Sequence, residues 1–257
     1  MEHNSATGAA AGKQSQQSPA LLQYEWHAKS TQPECAIIWL HGLGADGHDF
    51  VPVSQAMRST AEYSVAYCFP HAPMRPVTIN NGMVMRAWYD IMGFDLRRDQ
   101  DRNGIQQSIR QVEQLRDHLN EQGIPYQRQI VAGFSQGGVI ALRAGLASER
   151  PPLAILALSC YLADPETIAD WSYGDDRSMP LFMGHGSQDP VVPIQLGERA
   201  RDTLTQTGYQ VRWQQYPIPH SVSPEEIMHI DEWVSSQIKS HMSQVGSVSY
   251  THLRAHE

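Results

Sequence analysis

The sequence predicts an α/β protein built on a mostly parallel sheet, and three observations carry that expectation. Runs such as Cys35–Leu40 are apolar on both faces, as strands covered by helices on each side must be. Stretches with the 3.6-residue helical period lie between such runs. The two patterns alternate along the chain, which is how parallel strands joined by crossover helices read.

The strand-like runs are Cys35–Leu40, Ser64–Phe69, Gln129–Phe134, Leu153–Ser159 and Pro180–Gly184, and Val211–Tyr216 alternates as an edge strand would. Ile105, Ile109, Val112, Leu115 and Leu119 share one helical face. Val139–Ala147 also reads as a helix. Ile227, Ile230, Val234 and Ile238 mark the last one, opened by a capping box of Ser223 as cap, Pro224 first and Glu226 three residues on. Ligands on such sheets bind beyond the carboxyl ends of the strands, so the chemistry belongs in the loops that follow them.

The chain has 257 residues, with 19 basic against 27 acidic side chains and a net charge of −8. No run of Lys or Arg interrupts that acidity, which argues against nucleic acid as a partner. Hydrophobic residues make up 41%, enough for a sizeable core. No apolar run approaches the ~20 residues of a membrane helix, so stable membrane insertion is not expected. The start Met1-Glu2-His3-Asn4 lacks the pattern of a secretory signal, and Cys35, Cys68 and Cys160 each sit in a strand-like stretch. Buried reduced thiols and a cytoplasmic location are the expectation. Residues 1–20 are small and polar and read as a flexible tail, and 243–257 show no helical or strand face and read as a non-native or disordered tail. That leaves one domain over 21–242, with no internal repeat.

Gly133-Phe134-Ser135-Gln136-Gly137 is a Gly-x-Ser-x-Gly between an apolar strand and a helix, the context of a nucleophile elbow. Such a turn holds the serine in a strained conformation, and side chains two positions away would clash. The plainer alternative is an ordinary glycine-rich turn. A serine hydroxyl needs a base, and in this arrangement the acid and then the histidine follow it along the chain. Asp189 lies just past the strand ending at Gly184, whereas Asp164, Asp170, Asp175 and Asp176 fall in a less ordered connection. Capping a helix opened by Pro190 or Pro193 is the alternative role for Asp189. His220 follows the edge strand, in a strand-to-helix loop. Taken alone, it would read as an exposed loop histidine. The oxyanion of acyl transfer needs two N–H donors. One is that of Gln136, and the other is assigned to Leu43 in the glycine-rich loop His41-Gly42-Leu43-Gly44. No Gly-Lys-Ser/Thr follows this loop, so it is not a phosphate-binding P-loop.

These motifs occur in register with others: Gly47-His48, His71-Ala72-Pro73-x-Arg75-Pro76-Val77-Thr78, Ala87-Trp88-Tyr89-Asp90-Ile91, Leu158-Ser159-Cys160, Asp189-Pro190-x-Val192-Pro193 and His220-Ser221. Over about residues 34–240 the chain resembles the phospholipase/carboxylesterase family of small α/β-hydrolases, which holds bacterial carboxylesterases and eukaryotic acyl-protein thioesterases. The resemblance implies an α/β-hydrolase fold with helices on both faces and no large lid domain. It implies Ser135 as nucleophile, His220 as base, Asp189 as orienting acid, and the Leu43 and Gln136 amides as oxyanion donors. It also implies an acyl pocket lined by Leu43, Trp88, Tyr161 and Val191, and a homodimer that no feature of the sequence itself demands. Tyr161 stands where acyl-protein thioesterases often carry Trp, which favours the bacterial branch. Met83, Met85, Trp88, Tyr89, Met92 and Phe94, within the irregular stretch 70–100, read either as a substrate wall or as loop packing.

The expected function is that of a serine carboxylesterase acting on short- to medium-chain acyl esters, without metal or cofactor. An acyl-protein thioesterase or lysophospholipase using the same triad is the alternative, because the pocket and not the triad selects the acyl chain. A non-catalytic scaffold used for binding is the rival of another class. A metalloenzyme finds no support, since no His-Glu-x-x-His and no Cys pair at ligand spacing occurs.

Overall fold

The structure is a computed structural model that describes residues 20–58, 60–93, 96, 100–168 and 177–254. The elements run β1 (Tyr24–Ala28), β2 (Cys35–Leu40), α1 (Val51–Ala56), β3 (Val65–Pro70), β4 (Met74–Val77), β5 (Met83–Arg86) and α2 (Arg102–Glu121). They continue with β6 (Gln129–Phe134), α3 (Gln136–Leu146), β7 (Ala154–Leu158), β8 (Leu181–Gly186), α4 (Ile194–Gln206), β9 (Val211–Tyr216) and α5 (Pro224–Arg254).

Seven strands form one sheet in the order β1-β3-β2-β6-β7-β8-β9. Every neighbouring pair is parallel except β1 with β3. The five interior strands match the apolar runs of the sequence, and β9 is the expected edge. Strand alternation splits the core in two. Ala36, Ile38 and Leu40 face a layer that includes Ile105, Val112 and Leu115 of α2, Val139 and Leu142 of α3, and Leu204 of α4. Cys35, Ile37 and Trp39 face the other layer, with Val53 of α1 and Ile230, Val234 and Ile238 of α5. A sheet covered on both sides can only use its rim for chemistry.

Three features differ from the sequence expectations. The first strand, β1, is a short antiparallel edge strand whose residues are half-buried or exposed, so no apolar run announces it. The stretch read as irregular contains a hairpin, with β4 paired to β5 from Met74↔Arg86 to Val77↔Met83. Asp90 anchors its turn by accepting the N–H and hydroxyl of Thr78 at 2.7 and 2.6 Å. The last helix continues to Arg254.

The capping box at its start is half made. Ser223 Oγ accepts the N–H of Glu226 at 3.1 Å, while the Glu226 carboxyl is buried, 1% exposed, and feels the Ser223 backbone N–H without closing a full hydrogen bond to it. The expected tail 1–19, Asp170, Asp175, Asp176, Phe94 and 255–257 lie outside the described residues.

Candidate active site

The connection from β6 to α3 places Ser135 at φ +54°, ψ −119°, a left-handed conformation that costs about 1–3 kcal/mol. The flanking glycines explain how it is tolerated. A Cβ on Gly133 would collide with the carbonyl of Gly137, and one on Gly137 would collide with the carbonyl of Leu40. Ser135 therefore stands at the end of β6, beside the first turn of α3.

Two other strand ends bring its partners. Asp189 follows β8 and His220 follows β9. His220 Nδ1 donates to Asp189 Oδ2 at 2.6 Å. That bond leaves Nε2 to accept the Ser135 hydroxyl at 2.9 Å. The second Asp189 oxygen accepts the N–H groups of Val191 and Val192 at 2.8 and 2.9 Å. Asp189 caps no helix, because α4 begins after Pro193 without a side-chain cap. The three residues picked from chain order thus form one hydrogen-bonded relay.

The loop after β2 lies against this relay. A Cβ on Gly42 would sit 3.5 Å from the Cβ of Ser135, so glycine permits the close approach. His41 braces the loop from below. Its Nδ1 donates to the Gly42 carbonyl at 2.7 Å, and its Nε2 accepts the Ala72 N–H at 3.0 Å. Burial pushes this imidazole down to about 4, so it serves as a neutral brace. Gly44 adds a bond from its N–H to the Arg86 carbonyl at 2.9 Å, joining the loop to β5.

A cavity of about 870 Å³ opens at Ser135 and Gln136. Leu43, Tyr161 and Val191 line it, as the resemblance implied. Trp88 does not, and this corrects the expectation. Its side chain is fully buried, and its indole N–H donates to the His41 carbonyl at 2.9 Å. A buried indole needs an acceptor for its one donor, and the acceptor lies beneath the oxyanion loop. The neighbouring Tyr89 takes the wall position, together with Ile79, Ile91 and Leu96. Met83 and Met92 are exposed, and the sulfur of Met85 lies close to Gly44. The Tyr89 and Tyr161 hydroxyls meet at 3.0 Å, and burial pushes the Tyr161 phenol up to about 12.

The Gln136 side chain is a contributor that sequence reading missed. Its Oε1 accepts the Trp88 N–H at 2.8 Å and its Nε2 donates to the Tyr89 carbonyl at 2.7 Å. This pair of bonds clamps the cavity wall to the first residue of α3.

Cys35, Cys68 and Cys160 are buried and unpaired, and burial pushes the Cys35 thiol up to about 11, the environment of an inert thiol. Among the described residues, Glu25, His48 and His71 form a group with metal-ligand spacing. His71 Nδ1 accepts the Gly47 N–H at 3.0 Å, which puts the ring proton on Nε2, 3.3 Å from Glu25. That ring keeps no lone pair for a metal, so the group is a hydrogen-bond network. Among the described residues, no helix is long and apolar enough to cross a membrane.

Comparison with known proteins identifies the family. The Phospholipase/Carboxylesterase family profile matches residues 24–238. An acyl-protein thioesterase 1 of Cryptococcus neoformans is 34% identical over 220 residues, covering 79% of this chain and 92% of that protein. One from Neurospora crassa is 37% identical over 211 residues, covering 79% and 86%. The crystal structure of Arabidopsis thaliana SOBER1 superposes with a TM-score of 0.74 at 27% identity, covering 79% of this chain and 99% of that one. Zea mays acyl-protein thioesterase 2 gives 0.71 at 25% identity, covering 84% and 98%. These names favour the thioesterase alternative over the short- to medium-chain carboxylesterase expected from the sequence. With its parallel sheet, strand-end relay and matching profile, the chain belongs to the phospholipase/carboxylesterase family of α/β-hydrolases.

Proposed function

We propose that this protein is a serine hydrolase that cleaves long-chain acyl thioesters, and the corresponding oxoesters, through an acyl-enzyme. The observation that carries the reading is the relay from Ser135 through His220 to Asp189 at the mouth of an apolar cavity. His220 takes the Ser135 proton as Oγ attacks the acyl carbonyl. The N–H groups of Leu43 and Gln136 receive the oxyanion. His220 then returns the proton to the departing thiolate or alkoxide, and water repeats the cycle on the acyl-enzyme. The thioesterase names of the relatives support the thioester. The cavity, at about 870 Å³, lies high in the ~300–1,000 Å³ range of ligand sites and supports more than a short acyl group.

A second reading, a short-chain carboxylesterase, is favoured by the Tyr89–Tyr161 hydroxyl pair, which puts polar atoms in a wall that a long alkyl chain does not need. Initial rates on p-nitrophenyl esters from acetate to palmitate, with a palmitoyl thioester alongside, separate the two. The expected outcome is a preference for long chains and turnover of the thioester, with kcat reduced about 10⁴-fold or more in Ser135→Ala. Turnover confined to acetate and butyrate would select the second reading, and turnover indifferent to Ser135→Ala would remove both.

A further inference from the structure

We infer that His185, which lies outside the Ser135–His220–Asp189 relay, is a positioning residue that fixes the Asp189 carboxylate and the Val191–Val192 cavity wall as one unit. The inference rests on the reading above of Asp189 as the catalytic acid.

His185 projects from β8 and is 1% exposed. Its Nε2 lies 2.9 Å from the Val192 carbonyl. A carbonyl only accepts, so Nε2 carries the ring proton. The same Nε2 stands 3.6 Å from Asp189 Oδ2, the oxygen that receives the His220 bond. Val192 in turn donates its own N–H to Asp189 Oδ1. His185, Val192 and Asp189 therefore close a small ring of polar contacts. One side of the ring faces His220, and the other carries Val191 and Val192 of the cavity wall.

The fold makes room for this ring. A Cβ on Gly197 of α4 would collide with His185 Nδ1, so the helix gives up a side chain where the imidazole is seated. Trp213 of β9 flanks it at 6.2 Å between centroids, with the Arg201 guanidinium 5.1 Å from the Trp213 ring centroid. The titratable groups that act on it are Asp189, His220 and Glu198 of α4. Burial holds the imidazole below its usual range. A neutral ring of this kind gives its N–H to the Val192 carbonyl and so holds the turn that binds Asp189, without competing for the proton that Asp189 orients on His220. Core packing alone would need the ring's volume but not its N–H.

The test measures the rate at which a fluorophosphonate labels Ser135 between about pH 5 and about pH 9, together with Tm. It compares the wild type with His185→Phe, His185→Gln and Gly197→Ala. His185→Phe keeps a ring and deletes the donor. It is expected to label roughly 10–100-fold more slowly, in line with losing the group that orients a site residue. Its acid limb moves to higher pH, because a turn released from the His185 N–H loosens the Val191 and Val192 bonds to Asp189, and a carboxylate with fewer donors holds the His220 proton more tightly. His185→Gln restores a donor and recovers rate and limb together. Gly197→Ala displaces the ring and moves the limb in the same direction as His185→Phe. An unmoved limb in His185→Phe, a shift to lower pH, or no recovery in His185→Gln overturns the inference. If His185→Phe does not fold, an unmoved limb in folded Gly197→Ala overturns it equally. Labelling needs no substrate. A wild type that labels at Ser135 yet hydrolyses neither ester nor thioester would sink the proposed function and leave this test standing, whereas one that does not label would overturn both.

Discussion

Two buried carboxylates flank β8, and they are treated in opposite ways. Asp189, just past the strand, receives three hydrogen bonds, from Val191, Val192 and His220. Glu226, at the start of α5, is as deeply buried, and neither of its oxygens makes a full hydrogen bond. Burial, only partly offset by the Ser223 backbone N–H, pushes the Glu226 carboxyl up to about 8, so it is largely protonated at neutral pH. Burial alone therefore does not make an acid functional. What separates the two is the set of donors converging on the first, two of which, Val191 and Val192, come from the turn that also shapes the cavity.

The comparison breaks most sharply at Asp189. Asp189→Asn is expected to lower kcat about 10³–10⁴-fold, because an amide no longer fixes the tautomer of His220. Steady-state rates on a long-chain ester check this, and near-normal turnover would return Asp189 to a structural role. Glu226 should show its weight in stability instead. Gly184 has no side chain where Glu226 Oε1 packs, and a Cβ there would also come within 3.2 Å of Leu158. Gly184→Ala is expected to cost about 1–3 kcal/mol by overpacking, read by urea denaturation. The cost shrinks in a Glu226→Ala background, where the colliding oxygen is gone.

A further effect depends on pH. An acid whose folded value lies above its unfolded one has its full contribution below the unfolded value, and loses it as pH rises through the folded one. For Glu226 that window runs from 4.5 to about 8. Tm of Glu226→Gln should exceed that of the wild type increasingly toward the alkaline end, by roughly 5 °C or more. Equal pH slopes in the two proteins would show that the carboxyl finds a partner when it ionises.

The same contrast marks what sequence reading reaches. Ser135, Asp189 and His220 were legible because each follows a strand, and chain order plus strand ends is enough to bring them to one rim. The interior strands were legible from their two-sided apolar runs. Glu226 was misread as half of a capping box, since spacing predicts the backbone of a helix start but not whether a side chain turns inward. Trp88 was placed in the pocket by resemblance, and the need of its indole N–H for an acceptor draws it beneath the oxyanion loop instead. Strand β1 carries too little buried surface to leave a pattern. His185 left no signal, because a histidine inside a buried strand looks the same whether or not its N–H has work to do.

The Gln136 clamp carries a practical consequence for anyone reshaping the cavity. The main chain of Trp88 and Tyr89 is bolted to Gln136, the residue that follows Ser135. Remodelling that wall by insertion or backbone change would disturb the nucleophile's own helix. Val191 is different: its side chain is 59% exposed and stands at the mouth. Substrate range is best redesigned from the Val191 side, by side-chain replacement, leaving the wall that shares its frame with the chemistry untouched.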